Sequence, residues 1–504
     1  MLSILKSGAV SGISGFLIDV EVDIARGMPA FTIVGLPDTA IKESRERVRT
    51  AVINSGHNFP QNRLTINLSP ASVPKEGAGF DLPIAVALMA HVHDLSVAPV
   101  AGYLLIGELG LNGEVKPVPG ILPLAIAARD HGLTGLIVPE KNASEAAAIS
   151  AVKVIAVSHI NQILEILRGA EPYLFVPDRR EDIVRRHPDF SDVKGHEQAK
   201  RAIEVAAAGG HNLLMIGSPG SGKTMLARRI PSVLPLLEEE ERIETTKIFS
   251  VAGLLAEEGL IIERPFRSPH HTLSDVALAG GGVPPRPGEI SLSHNGVLFL
   301  DEFPEFKKNA LEVLRQPLED GEITISRATS TVKFPSSFML VASMNPCPCG
   351  YLFDRKHPCT CSQVAIQKYQ HKISGPLLDR IDISVVVNSV PYDDLRKKGG
   401  GEPSDKMRDR IERARTVQAE RFRGRSNLVN ARMAPADIEK FCVLAPAAET
   451  LLRAAIEKMG ISTRGYAKLL KVSRTIADLA GAEHIDTPHI AEAIQYYNRS
   501  VFNQ

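Results

Sequence analysis

The sequence has no surplus of charge of either sign: 58 Lys and Arg stand against 58 Asp and Glu. Overall charge therefore points to neither a nucleic-acid nor a membrane partner, and any such surface has to be local. No apolar run is long enough to cross a bilayer. The opening MLSILKSGAVSG is too short and too weakly charged for a secretory signal, so a cytoplasmic protein without a membrane partner is expected. Cysteine is scarce, five in 504 residues, and four of the five fall within fifteen residues. That is no disulfide framework; in a cytosolic chain such clustering points to metal before redox chemistry. Long repeats and low-complexity segments are absent too. What remains, 44% hydrophobic and 23% charged residues over this length, is ordinary for a soluble globular protein of two to four domains.

Three blocks are expected. Residues 1–170 read as an α+β unit, with β-rich runs (FLIDVEVDI, AFTIVG, RLTINLSP, YLLIGELG, GLIVP) alternating with helical ones such as DTAIKESRERVRTAVINSG. A polar, proline-punctuated linker covers 171–190. The second block, 191–392, carries apolar runs at NLLMIG, GVLFLDE, SFMLVASMNP and ISVVVNSV between helices, the pattern of an α/β parallel sheet. After RKKGGGEPSD, residues 405–504 lack strand signals and read as helices.

GSPGSGKT, the run Gly217, Ser218, Pro219, Gly220, Ser221, Gly222, Lys223 and Thr224, fits the phosphate-binding loop G-x-x-x-x-G-K-[ST]. Its glycines let backbone N–H groups curl around phosphate oxygens, ahead of the positive end of a helix. Lys223 would reach the β- and γ-phosphates of ATP, and Thr224 would hold Mg²⁺. In GVLFLDE a buried strand ends in two carboxylates, at the edge where open α/β sheets bind ligands. Asp301 would orient the Mg²⁺ shell and Glu302 would polarise the attacking water; the alternative is a pair of helix-capping acids. Asn345 closes a further apolar strand, where an amide can position that water. Arg380, just before the last strand, is placed to reach a neighbouring subunit's phosphate. The helical tail offers Arg464 and Arg474, with surface helix charge as the alternative for each.

The order of loop, LDE, asparagine, trans arginine and lid arginine resembles an AAA+ ATPase. DVKGHEQAKRAIEVAAAGGHNLL is similar to the segment ahead of the loop in that class, which implies that Val193 and Gly195 lie near the adenine. RPFRSPHHTLSDVALAGGGVPPRPGEISLSHNGVLFLDEFPEF and NPCPCGY…CTCS…YQHKISGPLLDRIDI resemble the magnesium-chelatase-like ComM or YifB family, over essentially the whole chain. The resemblance implies a homo-hexameric ring motor that drives DNA branch migration during natural transformation.

PHHTLSDVALAGGGVPPRPGE resembles the helix-2 insert of the magnesium-chelatase and MCM-helicase branch. His270 and His271 within it suit loop packing or hydrogen bonding better than metal, because adjacent side chains rarely converge on one ion. EITISRA and TSTVKF alternate and would pair as a hairpin. In MCM-like motors a hairpin at this place carries a basic residue to the DNA backbone, and Arg327 and Lys333 match it here. A phosphate contact needs charge and reach, not a base code; solvated hairpin charge is the alternative. From Arg396 to Arg432 there are 12 Lys or Arg against 5 Asp or Glu, which predicts a helix with a basic face, for nucleic acid or for solvent.

Cys347, Cys349, Cys359 and Cys361 form two C-x-C pairs. Four thiolates around a short loop make a tetrahedral Zn²⁺ site plausible, structural because no ligand position stays open. Redox-labile thiols are the alternative, and Cys442 reads as core. In the amino-terminal block, PKEGAGFDLPIAVAL and GELGLNGEVKPVPGILPLAIAARDHGLTGLIVPEKN resemble the Lon protease catalytic domain (a ribosomal protein S5 domain 2-like fold). Gly79 stands in the nucleophile region and Leu122 where that family has its lysine, so acyl transfer lacks both nucleophile and base. An ATP-driven DNA motor is therefore the leading expectation. A chelatase-type remodeller that drives metal insertion, and an ATP-dependent protease, are the competing ones.

Overall fold

The computed structural model describes residues 2–72, 75–177, 187–255, 259–326, 331–352, 354, 357–391, 396, 400–425 and 428–497. The chain begins with β1 (Leu2–Ser11) and β2 (Ser14–Ala25), an antiparallel hairpin in register from Leu2↔Asp23 to Ser11↔Ser14. Along β2, Ile18, Val20, Val22 and Ile24 are buried while the acids Asp19, Glu21 and Asp23 alternate with them, the period of a strand with one wet face. Then follow β3 (Ala30–Val34), β4 (Arg63–Ser69), β5 (Tyr103–Leu105), a two-stranded ribbon of β6 (Glu108–Leu109) and β7 (Val115–Lys116), β8 (Gly135–Pro139) and β9 (Lys153–Val157). Seven of these strands make one mixed sheet in the order β3-β4-β2-β1-β5-β8-β9. The helices Thr39–Asn54, Asp81–Val92 and Ile160–Leu167 bury Val48, Leu88 and Ile163 in one core with it. Helix Ile121–Asp130 packs Leu122 and Leu124 into a second cluster with Leu104, Leu136 and Val138.

The ATPase-type core holds β10 (Leu213–Ile216), β11 (Phe266–Arg267), the ribbon β12 (Gly280–Gly281) and β13 (Arg286–Pro287), and β14 (Val297–Leu300). It continues through the hairpin β15 (Glu322–Ser326) and β16 (Thr331–Pro335), then β17 (Met339–Met344) and β18 (Ile383–Val386). Five strands form a parallel sheet in the order β11-β14-β17-β10-β18. Every residue of β10, β14 and β17 is buried, as parallel strands covered on both faces require. The first strand of this core lies between two later ones, so a crevice opens at its carboxyl end. Past it the described residues are helical: Ser404–Arg421, Pro435–Phe441, Pro446–Met459, Thr463–Leu479 and Thr487–Tyr496. The lid shares its apolar cluster with the core, Ile411, Ile476 and Ile490 lying with Leu213 and Val341.

Two observations refine the expected layout. Phe190, at the end of the expected linker, is fully buried in that ATPase cluster, while 178–186 lie outside the described residues. The two folded parts also touch directly. Gly120 N donates to Ser250 O at 3.0 Å, and Ser250 Oγ donates to Glu145 Oε1 at 2.5 Å.

Candidate nucleotide site

β10 delivers the chain into the loop at Gly217, whose N–H donates to Met344 O at 3.2 Å. A Cβ at Gly217 would come within 2.2 Å of Val387 O, so only glycine allows this approach. Gly220 and Gly222 have φ of +73° and +88°, the left-handed region that glycine enters freely. Helix Lys223–Ala227 starts at once, and Pro231 lies in a separate short helix, Ile230–Val233. Ser221, 3% exposed, has a hydroxyl without a protein partner in this loop.

Four expected residues converge at the carboxyl ends of β10, β14 and β17. Thr224 Oγ1 donates to Asp301 Oδ2 at 2.6 Å. Lys223 Nζ donates to Gly217 O, Ser218 O and Asn345 Oδ1 at 2.7, 2.9 and 3.2 Å. Burial pushes the Lys223 ammonium below its ordinary range, against the opposing pull of Asp301 and Glu302. Asp301 Oδ1 accepts the Glu302 N–H at 3.0 Å and the hydroxyl of Ser343, a residue the sequence reading passed over. Its signal was a polar side chain inside the apolar run MLVASM. Glu302 has a left-handed backbone, φ +52°, and its carboxylate turns outward to His271 Nδ1 at 3.2 Å. The loop therefore has cation, hydroxyl and carboxylate where triphosphate and Mg²⁺ need them, and the donor set fits both.

Beside the loop, Val193, Lys194, His196, Met225 and Val390 line a cavity of about 380 Å³ that includes Gly220, Ser221 and Gly222. Gly195 (φ +67°) lies against Val390, where a Cβ would sit at 3.1 Å. His196, absent from the sequence reading, is held toward its neutral form by burial and by Lys200.

Arg380 precedes β18 and so sits at the amino end of the sheet, opposite the loop. It donates to Pro376 O and pairs with Glu319. Arg464 reaches that same Glu319 carboxylate at 4.0 Å, which brings both arginines to one place. Arg474 corrects the expectation of either a nucleotide contact or surface charge. It is 2% exposed, donates to Asp478 Oδ1 at 3.0 Å and to Glu483 O at 2.7 Å, and holds the lid interior.

Lys333 stands on β16, 62% exposed, with its ammonium on Glu322 Oε1 at 2.5 Å. Arg327 lies outside the described residues. The basic residues expected at the start of the lid divide into a set paired within the fold and a set that faces outward. Arg410 chelates Glu402 at 2.7 and 2.9 Å, Arg415 donates to Ala207 O at 2.7 Å, Arg421 pairs with Asp478, and Arg425 with Asp437. Arg396, Lys406, Arg413, Arg423, Arg425 and Arg432 are exposed. Composition counts charges but does not show that the neighbouring core offers carboxylates and carbonyls to them.

The four clustered cysteines come together, their sulfurs all within 4.8 Å of one another. Cys347 Sγ is 3.3 Å from Cys349 Sγ and 3.7 Å from Cys359 Sγ, and Cys349 Sγ is 3.6 Å from Cys359 Sγ. Ligands at ~2.3 Å around a tetrahedral Zn²⁺ would be spaced by roughly 3.8 Å, so the donor set fits that ion. Backbone N–H groups of Tyr351 and Thr360 bring the Cys349 thiol down to about 6, while burial pushes Cys347 up to about 12. Inside this loop Gly350 (φ +87°) lies against Pro219 of the phosphate loop, where a Cβ would come within 2.5 Å. In the amino-terminal sheet Gly79 packs on Ile106, and Leu122 is fully buried with its N–H on Glu145 Oε1 at 2.8 Å.

Comparison with known proteins agrees with this architecture. The family described as "Magnesium chelatase, subunit ChlI" matches residues 189–395, "Subunit ChlI of Mg-chelatase" matches 20–142, and "Magnesium chelatase, subunit ChlI C-terminal" matches 401–497. Competence protein ComM of Haemophilus influenzae is 42% identical over 98% of this chain and 97% of its own length. YifB of Escherichia coli, described as uncharacterized, is likewise 42% identical over 98% and 97%. Lon protease of Halothermothrix orenii is 29% identical over 31% of this chain and 21% of its own length. No helix among the described residues is long and apolar enough to cross a membrane. With an AAA+ P-loop core, a helical lid and a Lon-like domain ahead of them, the chain belongs to the magnesium-chelatase-like AAA+ ATPases of the ComM and YifB family.

Proposed function

We propose that this protein is an ATP-driven DNA motor that works as a homo-hexameric ring in the cytoplasm, moving DNA branch points in homologous recombination or the uptake of transforming DNA. The observation that carries the reading is the joint placement of Lys223, Thr224, Asp301 and Asn345 at one end of a parallel sheet. Likeness over the whole chain to a protein named for competence supports the choice of DNA.

In this reading Lys223 and the loop N–H groups bind the triphosphate, and Val193, Gly195 and His196 border the adenine. Thr224 and Asp301 would hold Mg²⁺, which would supply charge neutralisation for the phosphates. Glu302 would accept a hydrogen bond from the attacking water and polarise it, and Asn345 would orient it. Arg380 and Arg464, drawn to one carboxylate at the far end of the sheet, serve the site of the neighbouring subunit. Lys333 and Arg327 touch the DNA backbone. The Lys333–Glu322 pair is exposed and screened, so a phosphate can replace the carboxylate at little cost. The four cysteines hold a structural Zn²⁺, which cross-links a loop braced on Pro219. The Lon-like domain serves as a scaffold without peptide hydrolysis.

A junction-migration assay on the full-length protein tests this reading. ATP-dependent movement of a four-way junction, abolished when Arg327 and Lys333 are reversed to Glu while basal ATP hydrolysis persists, is the expected result. The matched family descriptions favour a second reading, a chelatase-type remodeller. ATP hydrolysis with neither DNA binding nor junction movement would put that reading first.

A further inference from the structure

Arg380 and Arg464 come from different parts of the fold, the turn before β18 and the lid helix Thr463–Leu479, yet both meet Glu319 Oε1. Glu319 belongs to helix Arg315–Asp320, which ends at Gly321 (φ +69°) where the chain enters β15. Three segments thus bring two cations and one anion to a single point.

The backbone around Arg380 has little freedom. Asn212, the residue before β10, donates from Nδ2 to Arg380 O at 2.8 Å and accepts the Leu340 N–H of β17 on Oδ1 at 2.8 Å. Lys468, one turn beyond Arg464 on the same helix, donates to Ile381 O at 2.5 Å and to Leu378 O at 3.4 Å. Sheet and lid therefore fix where the Arg380 side chain starts, and its own contacts fix where it points. These are Pro376 O on Nη1 and Glu319 on Nη2, while Nε is buried with no partner among the described residues. The side chain is 13% exposed, so its partners rather than solvent decide its aim. Arg464, 65% exposed, stands on the open side of the same carboxylate. Two guanidinium groups drawn to one oxygen repel each other, and Glu319 supplies the negative charge that lets them stay together.

We propose that Glu319 is a positioning residue that holds Arg380 and Arg464 as one unit, aimed together at the phosphates of the neighbouring subunit's ATP. This rests on the reading of the two arginines as serving that neighbour. Glu319 lies with them at the amino end of the sheet, opposite the chain's own phosphate loop. Its loss therefore leaves Lys223, Thr224 and Asp301 of the same chain in place.

The test is ATP turnover by full-length wild type, Glu319→Ala, Glu319→Asp and Arg380→Ala, each alone and mixed with Lys223→Ala chains. Melting and the mass of the assembled ring check that every variant folds and assembles. Glu319→Gln, nearly the shape of the original side chain, takes the place of Glu319→Ala if that chain fails either check. Glu319→Ala alone should lose about five-fold in kcat with KM for ATP unchanged, the upper range for an ion pair at a part-exposed carboxylate. Glu319→Asp keeps the charge and should recover part of the loss. Mixing with Lys223→Ala chains should raise turnover per Glu319→Ala chain, because some interfaces then pair its intact loop with the other chain's intact arginines. A fault confined to the folding of the Glu319→Ala chain would stay in that chain and show no such rescue. A kcat for Glu319→Ala at or above wild type overturns the proposal. So does a slowed Glu319→Ala that Lys223→Ala chains fail to rescue while they rescue Arg380→Ala. If Arg380→Ala is not rescued either, in rings shown to be mixed, the reading of the arginines in trans fails and the role of Glu319 fails with it.

Discussion

Replacing Arg380 with Ala probes the subunit boundary most sharply. The guanidinium sits before β18, and β18 runs in parallel register with β10 from Leu213↔Ile383 to Ile216↔Val386. The loop begins beyond the other end of that register. Four strand residues at ~3.3 Å each put about 13 Å of sheet between them, more than an arginine side chain spans. In the proposed ring, any phosphate Arg380 serves is therefore a neighbour's. Losing such a residue costs about 10³-fold in turnover. In an equal mixture of Arg380→Ala and Lys223→Ala chains, about a quarter of ring interfaces pair an intact loop with an intact arginine. Hydrolysis should recover toward that fraction, measured as ATP turnover across mixing ratios with co-assembly verified by mass. A flat line at the level of the inactive parents, in rings shown to be mixed, would refute a role in trans.

Asp478 is fully buried and accepts from Arg421, Arg474 and Asn430; Asp478→Ala strands two guanidinium groups, which should cost ~3–5 kcal/mol of lid stability, read by denaturant unfolding. Metal analysis of anaerobically purified protein should find one Zn²⁺ per chain, and stripping it should slow ATP turnover because Gly350 braces Pro219; metal content near zero returns the cluster to free thiols. Burial holds the Glu145 carboxyl above the usual carboxylate range despite its bonds to Ser250 and Leu122. The proton it keeps in the folded state contributes stability below the unfolded value that is lost as pH rises through the folded one. Glu145→Gln should therefore gain on wild type from acid to neutral pH in denaturant unfolding, and a constant difference would contradict the buried carboxyl's role.

Motifs with a fixed spacing were legible. GSPGSGKT and LDE determine their own local geometry, because a tight phosphate cradle needs glycine and a buried strand needs a continuous apolar run. The strands β1 and β9 were not read: the opening segment was weighed only for targeting, and KVIAV is short and unflanked. Arg474 shows a second gap. Helical spacing puts Asp478 one turn on, but only packing shows that this face points inward. His271 marks a third, since the contact with Glu302 joins two separate loops across β11 and β14. The docking of Ser250 on Glu145 depends on how two folded parts meet, and no local pattern records that.

The rate of ATP hydrolysis by the full-length protein, with and without a branched DNA and over a series of salt concentrations, tests the central claim most directly. A DNA motor should be stimulated at low salt and lose that stimulation steeply as salt rises, because each phosphate contact releases counterions. Hydrolysis at one rate with or without DNA, at every salt concentration, would contradict it.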